Sequence, residues 1–240
     1  MRKLKLIVAM TLLLGLWGGC SIFRAGNPAI ESTLPIPSQA LSEITLPEPR
    51  LTGTISLEES LRQRRSVRDY ANSALEIEAV SQLLWAAQGI TSDSGGRTAP
   101  SAGGLYPLEV YLVAGKVNNL SPGVYRYQPS EQTLIQVLDR DIRSQLADAA
   151  LSQSAVRNGA IDIVITAVSS RTTSKYGERG IRYVYMEAGH AAQNICLQAT
   201  ALNLGTVTIG AFEDEAVKSL LVLAEDETPL YILPVGQTKT

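Results

Sequence analysis

A chain of 240 residues, 45% hydrophobic and 18% charged, is long enough for one or two domains and apolar enough to bury a core. Its formal net charge of −2 becomes −5 once Arg2, Lys3 and Lys5 leave with an N-terminal leader, since 18 basic residues then face 23 acidic ones, and so acidic a chain has no attraction for nucleic acid. One histidine, His190, and two cysteines, Cys20 and Cys196, exclude a disulfide framework and any multi-histidine metal cluster, so no metal site is expected.

Arg2, Lys3 and Lys5 precede a charge-free run over residues 6–17, and Gly18, Gly19 and Cys20 follow it. A positive start, a short apolar core and then small residues make the order of a secretory signal peptide. The run is shorter than the roughly 20 apolar residues that a spanning helix needs. Residues 1–20 are therefore read as a leader, and the end Leu16-Trp17-Gly18-Gly19-Cys20 is similar to a bacterial lipobox, which makes Cys20 the lipidation site. The alternative is an uncleaved anchor. Either reading places the protein on a membrane of the bacterial cell envelope.

Residues 21–54 hold Pro28, Pro35, Pro37, Pro47 and Pro49 and show neither helical nor strand periodicity. Proline fixes φ and removes a donor, so the segment reads as a semi-extended tether with a reach on the order of 100 Å. An arm wrapped on the domain surface is the other possibility.

From residue 55 to 240 the pattern is that of a single folded domain. Ser56 and Glu59 form a capping-box pair ahead of Leu57 and Leu61. A helix is expected over 77–88, with Gly89 ending it. Strands are expected over 110–114, 123–127, 133–138 and 161–168, the second and third joined as a hairpin. A long helix over 181–202 carries a small-residue face of Ala188, Ala191, Ala192, Ile195, Ala199 and Leu202, suited to close packing in the core or in a dimer, with Gly205 as its stop. Strands over 206–209 and 230–235 flank a last helix over 215–223. Helices and strands mix without a βαβ repeat, so the fold class is α+β.

Two constellations carry chemistry. Arg64, Arg65, Ser66 and Arg68 put three guanidiniums and a hydroxyl within five residues, enough to grip a phosphate; the alternative is a solvated helix end. Arg97, Pro100, Ser101, Ala102, Gly103 and Gly104 lie in a loop of small residues that lets backbone approach a flat ligand.

Arg-Arg-Ser-x-Arg followed by Pro-Ser-Ala-Gly-Gly-Leu-Tyr-Pro resembles the FMN-dependent nitroreductase superfamily. Lys175-Tyr176-Gly-Glu-Arg-Gly180 and Glu187-Ala-Gly-His190-Ala-Ala-Gln-Asn194 are most similar to its SagB-type dehydrogenase branch. The resemblance runs from about residue 56 to the end of the chain. It implies a mixed, mainly antiparallel sheet flanked by helices, and a homodimer with FMN at the interface. Arg64, Arg65, Ser66 and Arg68 would hold the FMN phosphate and ribityl chain, with Lys239 completing the clamp. Pro100, Ser101, Ala102 and Gly103 would line the isoalloxazine, with Ile209 and Gly210 at its other edge. Lys175 and Tyr176 would lie near the substrate, Tyr176 as acid or base beside the lysine cation, and Arg97 or Lys175 would stabilise charge near N1.

Flavin transfers hydride at N5, so the protein need only bind, orient and tune it. The expected function is hydride transfer between a small-molecule or peptide substrate and FMN; the alternative is a non-catalytic, membrane-tethered flavin-binding protein. Export removes NAD(P)H as an expected donor and favours substrate oxidation. His190 and Cys196 read as a satisfied core or interface polar group and an inert buried thiol.

Overall fold

The computed structural model describes residues 42–239; the leader with Cys20 and tether residues 21–41 lie outside the described residues. In chain order the elements are β1 (Glu43–Thr45), α1 (Leu57–Gln63), α2 (Ile77–Gln88), a 3-10 turn over Ala102–Gly104, β2 (Leu108–Ala114), β3 (Gly123–Gln128) and β4 (Thr133–Leu138). Then come α3 (Arg143–Ala149), α4 (Ser154–Asn158), β5 (Ile161–Val168), α5 (Ser170–Tyr176), α6 (Arg179–Ala201), β6 (Leu204–Thr206), α7 (Asp214–Leu221) and β7 (Glu227–Gln237). The strands make one seven-stranded sheet in the order β1-β4-β3-β2-β5-β7-β6, every neighbouring pair antiparallel. The α+β class expected from the pattern is the one observed.

The centre of the sheet shows why β5 is an unbroken β-branched run. Ile161, Ile163 and Ile165 pack with Leu83 and Leu84 of α2 and with Ala188, Ala191 and Ile195 of α6. Val164 faces the other way, with Val113 and Ile232, onto Leu146, Val156, Val217 and Leu221 of α3, α4 and α7. Side chains alternate across a strand, so a sheet covered on both faces needs apolar residues at consecutive positions.

Helix α1 begins as expected, with the Ser56 hydroxyl accepting from the Glu59 N–H at 3.1 Å. Only half of the capping box forms, because the Glu59 carboxylate turns instead to Arg62 at 2.5 Å. The bounds of α2 are those expected.

Several expectations are corrected. Residues 43–50 are part of the fold rather than a free tether: Glu43, Ile44 and Thr45 pair with β4, and Leu46 is buried. Ser81 donates to the Pro47 carbonyl at 2.5 Å, and Gln82 accepts from the Arg50 N–H at 2.8 Å. Prolines 47 and 49 lie just past this short edge strand, where their missing donors cost the ladder nothing. Of the two packings open to the small-residue face of α6, the core is the one observed, since Ala188, Ala191, Ala192, Ile195 and Ala199 all join the protomer's own core. Gly205 is not the helix stop. The left-handed position after α6 is Asn203 (φ 58), while Gly205 lies in β6, where a Cβ would come 2.7 Å from Val67 Cγ1. His190 is exposed on the protomer and not in its core, which leaves the interface of the two alternatives. The strand expected over 206–209 ends at Thr206, and Ile209 bridges to Ile232 instead.

Candidate active site

The arginine cluster follows α1 on an extended segment threaded between the ends of two strands. Ser66 bridges to Thr206 of β6, and the Val67 N–H donates to the Thr206 carbonyl at 2.9 Å. Farther on, Tyr70 bridges to Thr238, which brings Lys239 beside the same segment. Arg64, Arg65 and Arg68 make no ion pair among the described residues, so their charges have no carboxylate to neutralise them. Arg65 is set apart from the other two, because its Nη1 donates to the carbonyls of Arg62 and Arg64 and closes off the helix end. Lys239 donates to Asp69 at 2.7 Å. The segment that carries Arg64, Ser66 and Arg68 thus lies against the chain near Lys239, so residue types that a phosphate clamp uses come from two distant parts of the chain.

The small-residue loop is held at both ends. The Thr98 hydroxyl donates to the Trp85 carbonyl at 3.1 Å, and Asn194 of α6 donates to the Thr98 carbonyl at 3.2 Å. The Ser101 hydroxyl accepts from the Tyr106 N–H at 2.9 Å and closes the loop on itself. Between them Gly103 turns left-handed (φ 66), and its missing side chain leaves room for α5: a Cβ there would lie 2.8 Å from the Tyr176 hydroxyl and 3.0 Å from the Lys175 ammonium. Lys175 and Tyr176 therefore stand against the loop. Tyr176 meets Tyr183 of α6 edge-on, ring centroids 5.2 Å apart, and the Lys175 Nζ sits 5.5 Å from the Tyr176 ring centre.

Arg97 stacks over the Tyr106 ring at 4.3 Å and donates to Gln88 at 2.9 Å. Burial draws its guanidinium below its ordinary value, against the opposing pull of Tyr106, Glu109 and Glu187. Ile209 and Gly210 stand on the β7 side, Ile209 buried against Ile232 and Gly210 exposed beside Tyr231. Burial pushes the Cys196 thiol up, as expected of an inert thiol, although Thr208 and Arg64 pull it down.

Glu187 belongs to this site, although no role follows for it from the sequence pattern alone. It is 2% exposed on α6, and its Oε1 has no hydrogen-bond partner. Burial pushes its carboxyl up to about 7, against the Ser101 hydroxyl and the Arg97 charge, which both lower it. The signal was its place four residues before Ala191 and eight before Ile195, an acid on the buried stripe of a helix.

The donor set and the close approach at Gly103 fit a phosphate-bearing, flat cofactor. Comparisons with known proteins agree. The model of the nitroreductase family matches residues 61–237. A protein of Methanocaldococcus jannaschii named as a nitroreductase is 44% identical over 195 residues, covering 81% of this chain and 96% of that one. A crystal structure named as a nitroreductase from Ralstonia eutropha has a TM-score of 0.71 at 30% identity, covering 82% of this chain and 90% of the other. A chain of the E. coli microcin synthetase McbBCD complex, solved with truncated pro-MccB17 bound, has a TM-score of 0.62 at 25% identity over 82% of this chain and 78% of its own.

Proposed function

Because the chain belongs to the nitroreductase family and is an oxidoreductase, we propose that it is an FMN-dependent dehydrogenase of the SagB type. Its substrate would be a small molecule or a peptide, and it would act as a homodimer tethered to a membrane of the cell envelope through Cys20. The observation that carries this reading is the approach of Lys175 and Tyr176 to the left-handed Gly103 turn. It sets a cation and a hydroxyl against the loop of small residues that suits a flat ring.

When bound, FMN supplies the hydride acceptor at N5. The protein's own residues do the rest. Arg64, Ser66, Arg68 and Lys239 hold the phosphate, while Pro100, Ser101, Ala102 and Gly103 line the ring, with Ile209 and Gly210 at its edge. Arg97 and Lys175 supply positive charge. The Tyr176 hydroxyl takes or gives the substrate proton, with the Lys175 ammonium beside it to stabilise the phenolate.

A peptide substrate is favoured by the likeness to the microcin synthetase complex, whose structure holds a truncated pro-peptide. Outside the cytoplasm NAD(P)H is not expected, which favours substrate oxidation with a quinone, oxygen or a protein as acceptor. Purification provides the test. The chain should be yellow, release FMN rather than FAD, and turn over with an artificial electron acceptor. A colourless protein that takes up no added FMN overturns the reading, and bound flavin without turnover leaves a binding protein. Fatty-acid labelling that depends on Cys20 tests the tether.

A further inference from the structure

A cavity of about 130 Å3 opens between the C-terminal end of α2, the start of β2, the β3–β4 turn and the first turn of α5. It is lined by Gln88, Arg97, Glu109 and Arg171, with Ile90 and Leu108 among its apolar walls. Of this lining, the redox reading uses only Arg97.

Two features of the wall lack partners. Gln88 is 1% exposed, and its Nε2 has no hydrogen-bond partner. The amide orientation is fixed by chemistry, because Arg97 can only donate and its Nη1 lies 2.9 Å from Gln88 Oε1. A buried amide with unmade donors is costly and rare in a settled fold. Beside it, the Arg97 guanidinium is half-buried and forms no ion pair among the described residues. Arg171 donates to the Glu109 carboxylate at 2.6 Å. Two cations against one carboxylate leave one positive charge on the wall.

We propose that this cavity binds the carboxylate of a small organic acid. A carboxylate offers acceptors only, which the orphan Gln88 amide and the fork of Arg97 both require, and its single charge balances the wall. The volume admits a small ligand. It therefore suits a carboxylate with a short aliphatic tail lying on Ile90 and Leu108, such as a free acid of three or four carbons. Arg97 also covers Tyr106 in the Gly103 loop, so occupancy of the cavity would reach the proposed catalytic loop through one side chain.

The test uses the purified full chain and propionate as probe, titrated at constant ionic strength in chloride and followed by ligand-observed NMR. One saturable site per chain is expected, with no comparable binding of the isosteric, neutral propionamide. Gln88→Met keeps the shape and removes the donors, and Arg171→Gln alters only a partly exposed side chain. Each should weaken propionate at least tenfold while circular dichroism stays unchanged. Absence of saturable binding, equal competition by chloride, or wild-type affinity in a folded R171Q variant overturns the proposal and leaves a water-filled cavity. FMN titration of the same samples reports separately on the flavin reading.

Discussion

A Cβ built on Gly103 would stand 2.8 Å from the Tyr176 hydroxyl, so the end of α5 lies closer to the turn at Gly103 than a side chain there allows without a shift. The backbone there is also left-handed, at φ 66, which disfavours any L side chain by about 1–2 kcal/mol. Gly103→Ala should therefore lower the melting temperature by roughly 2–8 °C. It should also reduce turnover more than FMN affinity, because Tyr176 and Lys175 must move. Unchanged melting and turnover together would show that loop and helix are uncoupled.

Tyr176→Phe removes one oxygen and keeps the edge-on contact with Tyr183. A positioned acid or base is worth about 10²–10⁴ in rate. Single-turnover substrate oxidation should slow by at least about a hundredfold at unchanged FMN binding. A loss below threefold would remove Tyr176 from the chemistry.

Glu187 makes stability depend on pH. Its folded carboxyl is raised to about 7 from an ordinary value of 4.5. Between those two values the folded chain keeps a proton that the unfolded chain has lost. The contribution is fully present below about 4.5, is lost as pH rises to about 7, and is flat above that. Asp162, fully buried with both oxygens unpartnered, is raised chiefly by burial and acts with the same sign. The difference between wild type and Glu187→Gln therefore isolates Glu187. Urea midpoints from pH 5 to 8 should fall less steeply in Glu187→Gln, and parallel curves would contradict the assignment.

If Arg64 and Arg68 grip a phosphate, FMN should bind more tightly than riboflavin, which has the same ring. Each charged hydrogen bond is worth about 1.5–3 kcal/mol, and two of them make the gap at least about a hundredfold. Arg64→Ala or Arg68→Ala should weaken FMN and leave riboflavin nearly unchanged, as read by flavin fluorescence quenching. Raised salt should also erode FMN binding preferentially. Equal affinity for the two flavins would make the arginines a solvated helix end.

The proposed dimer cannot use the alanine face of α6, which is buried in the protomer. Exposed apolar residues occur elsewhere on the same helix, at Ile181, Tyr185 and Met186, and on α1 at Leu57 and Leu61, among others. Met186→Glu should shift a sedimentation profile toward monomer, weakening association at least about thirtyfold if Met186 is a central contact. Retention of a full dimer would place the interface on another surface.

Much of the fold was legible because its signals are local. The 3.6-residue period and Gly89 bounded α2, and the continuous β-branched run marked β5. The arginine cluster and the small-residue loop carry the family resemblance through residue type and spacing. Other elements carried no such signal. Helices α3, α4 and α5 are of five to seven residues, too short for an apolar period to stand out. The strand over residues 43–45 is a strand only because β4 offers it an open edge.

The sequence by itself determined the α+β class and the family resemblance, since each depends on neighbours a few positions apart. Only the tertiary structure decided which groups meet. It set Gly103 against Lys175 and Tyr176, more than seventy positions away, buried Glu187 with one carboxyl oxygen and Gln88 with its amide nitrogen unpartnered, and turned the alanines of α6 into core. Burial and close approach are properties of packed surfaces from distant segments, and no local pattern of residues encodes them.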